Sequence, residues 1–118
     1  MKKSIVFIIA LLSLNIQKVY AASYQGFISN VSIYAGKAYV VVSGGAYDGM
    51  KSNCGSDQMV YSFDPNTNIG KSMLAIALSA KISGKAAYLI GDGTCVGGSI
   101  YANQGYSESL IGIDLKGQ

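Results

Sequence analysis

A single helix-forming segment lies among short runs of alternating apolar residues, and this order constrains the fold more than any other feature. Strands are predicted at residues 26–33, 38–43, 59–63, 86–90 and 110–115, because a period of two is typical of half-buried strands. The helix is predicted over residues 69–83. Asn66, Thr67 and Asn68 are candidate caps before it, and Gly84 is placed to end it.

This order of elements predicts a fold class. It is mainly β with one helix, an OB-fold-like five-stranded Greek-key barrel of order β-β-β-α-β-β. The sequence shows no internal repeat and no linker. Residues 22–118 are therefore predicted to form a single OB-like domain.

The first 21 residues have the pattern of a secretory signal peptide. Lys2 and Lys3 precede an apolar run at 5–14, and small residues at 21–23 follow where a signal peptidase cuts, with cleavage predicted after Ala21. Ten apolar residues are too few for a membrane-spanning helix, which needs about 20. We therefore expect a secreted or periplasmic protein, with no transmembrane segment in the mature chain.

Charge argues against nucleic acid as a partner. The formal charge of +3 comes from nine Lys and six Asp and Glu, with no Arg in the sequence. Removal of the leader takes away Lys2, Lys3 and Lys18 and leaves a mature chain with equal numbers of positive and negative side chains. A neutral chain lacks the basic excess that phosphate contacts need.

Composition also restricts the chemistry. The sequence has no His, so the commonest general base and metal ligand are absent, and we expect no metal and no cofactor. Cys54 and Cys95 are predicted to form one disulfide in an exported chain, and two free thiols are the alternative.

The motif Gly70-Lys71-Ser72 at the head of the helix invites comparison with a nucleotide-binding loop. Such a loop needs a glycine five residues before Gly70, and Pro65 stands there instead. Proline fixes the backbone and removes an amide, so we expect an ordinary first helical turn.

The helix is apolar nearly all the way round, which predicts burial on more than one side. Its second side either packs under the loop 44–57 or contacts helices of other copies in an oligomer. The residues predicted for such an oligomer contact are Met73, Leu74, Ala77 and Leu78.

Two polar, tyrosine-containing loops supply candidate ligand-binding residues. Sugar sites pair aromatic faces with amides and carboxylates that meet the hydroxyls. The candidates are Tyr47, Asp48, Asn53 and Asp57 in the first loop, and Tyr101, Asn103, Gln104 and Tyr106 in the second. The alternative is that these tyrosines only cover the rim of the barrel.

The run from the helix through Gly84-Lys85 to the strand 86–90, Cys95 and the terminal "ESLIGIDL" resembles the B subunits of bacterial AB5 toxins of the enterotoxin and subtilase-cytotoxin types. It is also similar to small secreted bacterial proteins of unknown function. The toxin resemblance implies an OB-fold protomer, a homo-pentamer with central helices, a catalytic A-type subunit as partner and a cell-surface glycan as ligand.

These observations favour a secreted binding protein that is not an enzyme, with glycan recognition as a toxin B-type subunit the leading hypothesis. The alternative is a monomeric or dimeric secreted module that binds another protein. Catalysis would have to rest on a carboxylate pair drawn from Asp48, Asp57 and Asp92, and the spacing does not show that any two face each other.

Overall fold

A computed structural model of the chain describes residues 21–52, 54, 59–98 and 106–116. Within these ranges the chain forms five strands and one helix, in the predicted order β-β-β-α-β-β. The elements are β1 (Ser23–Tyr34), β2 (Lys37–Tyr47), β3 (Met59–Phe63), α1 (Asn68–Ser83), β4 (Ala87–Gly97) and β5 (Tyr106–Leu115).

The five strands close into a ring in the order β1-β2-β3-β5-β4. Neighbouring strands are antiparallel except β3 and β5, which run parallel and share two paired positions, Tyr61 with Glu108 and Ser62 with Ser109. Register shifts interrupt the β1–β2 and β4–β5 pairs. The ring is therefore not a regular barrel.

The interior of the ring is filled by apolar side chains from all five strands and from α1. The fully buried members of this core include Val40, Tyr61, Ala77 and Leu89. A second buried cluster consists of Tyr39, Val41 and Val60. The Tyr39 hydroxyl donates to the Gly98 carbonyl at 3.2 Å, so the end of β4 lies close to this second cluster.

Local signals at both ends of α1 are used as the sequence predicts. Thr67 is the N-cap, and its hydroxyl accepts a 2.8 Å hydrogen bond from the Gly70 amide. Gly84 ends the helix in the left-handed conformation, with φ of 69°. A Cβ at Gly70 would collide with the carbonyl of Asp64. The glycine of the Gly-Lys-Ser motif therefore allows the turn after β3 to lie close against the first turn of α1.

The helix packs one face on β1 and β5 and leaves the other exposed. Met73 and Ala77 are buried in the core of the protomer, and Leu74 is half-buried against it. Leu78 is 42% exposed, and Ile82, one turn further on, is 85% exposed. Of the four residues predicted for an oligomer contact, Leu78 alone thus presents substantial surface, because the other three pack against the core of the same protomer.

Four of the strands extend beyond their predicted limits. β2 continues four residues further, to Tyr47, and β5 begins at Tyr106 rather than at Leu110. Two glycines lie in the β2 extension and three polar side chains in the β5 extension, and such residues resemble loop in sequence. Ladder pairing with β1 and β4 holds these segments in strands instead.

The predicted disulfide between Cys54 and Cys95 is confirmed, with the two Cα atoms 5.2 Å apart. It ties the segment after β2 to β4 across 41 residues of sequence. Closing a loop of that length stabilises the fold by about 4 kcal/mol in the chain-entropy model.

Candidate functional site

The last residues of β2 separate two surface grooves. Gly44, Gly45, Ala46 and Tyr47 line both of them. One groove, of about 650 Å³, lies on the β1 side, and the other, of about 530 Å³, extends towards Lys51 and Met59. We call the first the Phe27 groove and the second the Met59 groove.

The Phe27 groove combines an aromatic ring with polar side chains. Phe27 is 48% exposed, and its ring lies over Gly44, where a Cβ would be 3.4 Å from it. Gln25 and Asp48 are exposed in the same groove. An apolar face, an amide and a carboxylate are therefore presented together to solvent.

Asp48 is positioned by two hydrogen bonds to residues of β1 and β4. Its amide donates to the Ser23 carbonyl at 2.8 Å, and its Oδ2 accepts from the Tyr88 hydroxyl at 2.8 Å. Lys116 Nζ lies 5.2 Å from the centre of the Tyr88 ring, in cation–π range. Asp48 is thus an ordered carboxylate although it lies at a strand end.

The Met59 groove is walled by tyrosines that contact each other. The rings of Tyr24 and Tyr47 meet edge to face, with centroids 5.2 Å apart. The Tyr47 hydroxyl donates to Met59 Sδ at 2.9 Å, and the Tyr24 hydroxyl accepts from the Gly45 amide at 3.1 Å. Burial is the main cause that raises the pKa of Tyr47, so this hydroxyl stays protonated to a higher pH than an exposed tyrosine does.

A second, buried polar cluster centres on Glu108, whose negative charge adds to the effect of burial in raising the pKa of Tyr47. Glu108 is fully buried on β5, and its carboxylate accepts from Ser52 Oγ at 2.8 Å and from the Ala22 nitrogen at 2.9 Å. The Tyr61 hydroxyl donates to the Ala22 carbonyl at 2.9 Å. Burial, followed by the charge of Glu108, raises the pKa of Tyr61 far above its ordinary value.

The structure brings some of the predicted site residues together and separates another. Tyr47 and Asp48 are adjacent and share the Phe27 groove. Tyr106 pairs with Gly97, at the opposite end of the β4–β5 hairpin from Tyr88, so it belongs to a different surface. The remaining candidates, Asn53, Asp57, Tyr101, Asn103 and Gln104, lie outside the described residues.

Sequence reasoning missed Phe27, Gln25 and Glu108. Phe27 was assigned to the apolar face of the first strand, but register shifts after Gln25 and Ile28 break the regular pairing there, and its ring is half-exposed. Glu108 fell in the second of the two predicted polar loops, which spans residues 96–109. The one available signal for it was its spacing of two residues from Leu110, which places both side chains on the same face of a strand.

The described part of the chain offers neither a cluster of metal-ligating side chains nor a helix suited to a membrane. No group of three or more His, Cys, Asp or Glu there could hold a metal ion. Within the same ranges, no helix is long and apolar enough to cross a membrane.

Together the fold and the site define a disulfide-linked β-ring domain with one packed helix and a polar-aromatic groove. Comparison of the chain with family models, with curated proteins and with solved structures finds no match.

Proposed function

We propose that the protein is an exported, non-catalytic binding protein and that the Phe27 groove takes a saccharide. The observation that carries this proposal is the grouping of half-exposed Phe27 with Gln25 and Asp48 in one groove of about 650 Å³. A sugar ring stacks its C–H face on an aromatic side chain, while amides and carboxylates meet its hydroxyls.

The ring topology supports an OB-fold assignment within this proposal. The strand order β1-β2-β3-β5-β4, with α1 between β3 and β4, fits a five-stranded Greek-key barrel with one helix. OB-folds bind oligosaccharides or oligonucleotides on their surface. The chain after residue 21 carries equal numbers of positive and negative side chains, which favours an oligosaccharide over a negatively charged oligonucleotide.

Export is supported by two features. The Cys54–Cys95 disulfide suits an oxidising compartment, since such bonds are rare in the cytosol. The first 21 residues have the basic, apolar and small-residue order of a secretory leader. Both favour secretion or the periplasm.

Saccharide binding can be tested with matched variants. We expect a glycan array to yield ligands, and saturation-transfer NMR to show contact to them. Phe27→Ala and Asp48→Asn should each weaken binding at least tenfold. Tyr34→Ala and Asp114→Asn are the controls, because Tyr34 is a similarly exposed aromatic (52%) and neither residue lines the groove. Equal binding by all four variants would rule out this groove.

The toxin-like assembly is a further part of the proposal. A ring of five copies would have to use the outer face of α1, where Leu78 and Ile82 form an exposed apolar stripe one turn apart. Native mass spectrometry counts the copies. Ile82→Asp should dissociate the assembly, whereas Ile111→Asp, at an exposed isoleucine (55%) on β5, should not.

The second candidate function is a monomeric or dimeric module that binds another protein. The same exposed stripe on α1 favours it, because an apolar helix face is a common docking surface for a partner. A native mass of one or two copies, together with no saccharide hit on the array, would select this function over the first.

A further inference from the structure

Glu108 is a buried carboxylate that lacks a cationic side-chain partner in the described part of the chain. It is 0% exposed, and its two oxygens accept from the Ser52 hydroxyl and the Ala22 nitrogen. The one ion pair found among the described residues joins Lys116 to Asp114 at the surface. Burying an unpaired carboxylate costs several kcal/mol, so a positive charge is expected beside it.

Ala22 is held with its nitrogen directed at this carboxylate. The residue is 0% exposed, and its carbonyl accepts from the Gly91 amide and the Tyr61 hydroxyl, each at 2.9 Å. Its nitrogen lies 2.9 Å from Glu108 Oε2. The preceding residue, Ala21, is exposed. The fold therefore encloses the chain from Ala22 onward.

The predicted cleavage site falls at this same boundary. The leader pattern places the cut between Ala21 and Ala22, on grounds that do not involve Glu108. We propose that the mature chain begins at Ala22 and that its α-ammonium group forms a buried ion pair with Glu108. The charge that the carboxylate needs is then created by processing.

The chemistry of this step is a hydrolysis. A signal peptidase adds one water across the Ala21–Ala22 bond, and the C–N bond breaks as a C–O bond forms at the Ala21 carbonyl carbon. The released acid gives its proton to the amine, which leaves a carboxylate on Ala21 and an ammonium on Ala22. The amide that donated one hydrogen bond becomes a cation with three N–H donors.

This ion pair makes the mature chain more stable than a chain that keeps residues before Ala22. In the longer chain the same nitrogen is a neutral amide and Glu108 is uncompensated. The groups that face the pair are Tyr61 on β3, Ser52 after β2, the Gly91 amide on β4 and, nearby, Tyr47. Burial raises the pKa of both tyrosines above the ordinary value, so neither competes with Glu108 for the positive charge by ionising near neutral pH.

The first test is the mass of the protein purified from an exporting host. The expected product lacks residues 1–21 of the 118, has Ala22 as its first residue, and has lost two hydrogens to the disulfide. A mature N-terminus at any other residue would overturn the proposal.

The second test measures the coupling between the α-amine and Glu108. Chains beginning at Ala22 and at Ala21 are prepared by cleavage of a fusion, each with Glu108 and with Glu108→Gln, and unfolded in denaturant. Glu108→Gln should lower the folding equilibrium constant of each chain by some factor. That factor should be at least ten times larger in the chain that begins at Ala22 than in the chain that begins at Ala21. Equal losses in the two chains would contradict the ion pair.

A third measurement needs no substitution and covers the case in which Glu108→Gln does not fold. The α-amine of the mature protein is ¹³C-dimethylated, which keeps its charge, and its NMR signal is followed against pH. Pairing with Glu108 should raise the α-amine pKa above the ordinary value of about 8, with a return to that value on unfolding. An ordinary or lowered pKa in the folded protein would overturn the proposal.

Discussion

Gly91 of β4 packs directly against the carboxylate of Glu108 on β5, so closely that a Cβ at Gly91 would overlap Oε2. Gly91 does not have a positive φ, so the backbone conformation does not require glycine there. The requirement is steric and comes from the neighbouring strand.

Gly91→Ala should therefore destabilise the fold by about 1–3 kcal/mol, through overpacking and displacement of the Glu108 carboxylate. Gly97→Ala is the matched control on the same strand, because a Cβ there would meet Tyr106 at an ordinary 3.7 Å. Urea unfolding of the two variants gives the comparison. Similar losses for both would contradict the close contact at Gly91.

Removing the disulfide should be costly. Replacing both cysteines, Cys54→Ser with Cys95→Ser, should lower the free energy of unfolding by about 4 kcal/mol, because the unfolded chain gains the entropy of an open loop. Thermal unfolding with and without reductant checks this in the unmodified protein. The double variant should not respond to reductant, and a loss below about 1 kcal/mol would contradict the prediction.

Alkaline pH should destabilise the protein through Tyr61. Burial raises the Tyr61 pKa in the folded state, while the unfolded chain ionises near pH 10. Above that pH the unfolded state binds fewer protons, so stability is complete below pH 10 and falls as pH rises further, by up to about 1.4 kcal/mol per pH unit for this tyrosine.

Tyr61→Phe should accordingly reduce this slope. It should also cost about 1–2 kcal/mol at pH 7, through loss of the hydrogen bond to the Ala22 carbonyl. Tyr34→Phe is the control, because it also removes one tyrosine hydroxyl, but from an exposed side chain. Denaturant unfolding between pH 7 and pH 11 measures both effects. An unchanged alkaline slope in Tyr61→Phe would show that other groups cause it.

Loss of the helix cap should have a smaller effect. Thr67→Ala removes the acceptor for the Gly70 amide and should cost about 1 kcal/mol, whereas Thr67→Ser should retain most of the stability. Ser72→Ala, on the exposed side of α1, serves as the control. The midpoint of urea unfolding reports the difference, and a neutral Thr67→Ala would contradict the capping role.

Much of the fold could be predicted because its signals are local. The strand β3 was predicted with the limits that the structure has, and the start and end of α1 follow from Thr67 and Gly84. The disulfide followed from two cysteines in a chain that the sequence predicts to be exported. Each of these predictions depends on neighbouring residues or on composition alone.

The candidate site was predicted less well. Tyr47 and Asp48 were identified as site residues, but their partners Phe27 and Tyr88 come from β1 and β4. Register shifts in the β1–β2 pair, which no short sequence pattern indicates, govern how Phe27 is presented. Tyr106 was grouped with the second loop by sequence distance, although strand pairing takes it to another surface.

The sequence by itself thus determined the order of the elements, the ends of the helix and the pairing of the cysteines, because periodicity, capping and composition act over a few residues. The tertiary structure alone decided which side of α1 is covered, which residues meet in the grooves, and that Glu108 is buried against Ala22. Glu108 and Ala22 are 86 positions apart, and only closure of the ring brings the carboxylate and the Ala22 nitrogen within hydrogen-bond distance.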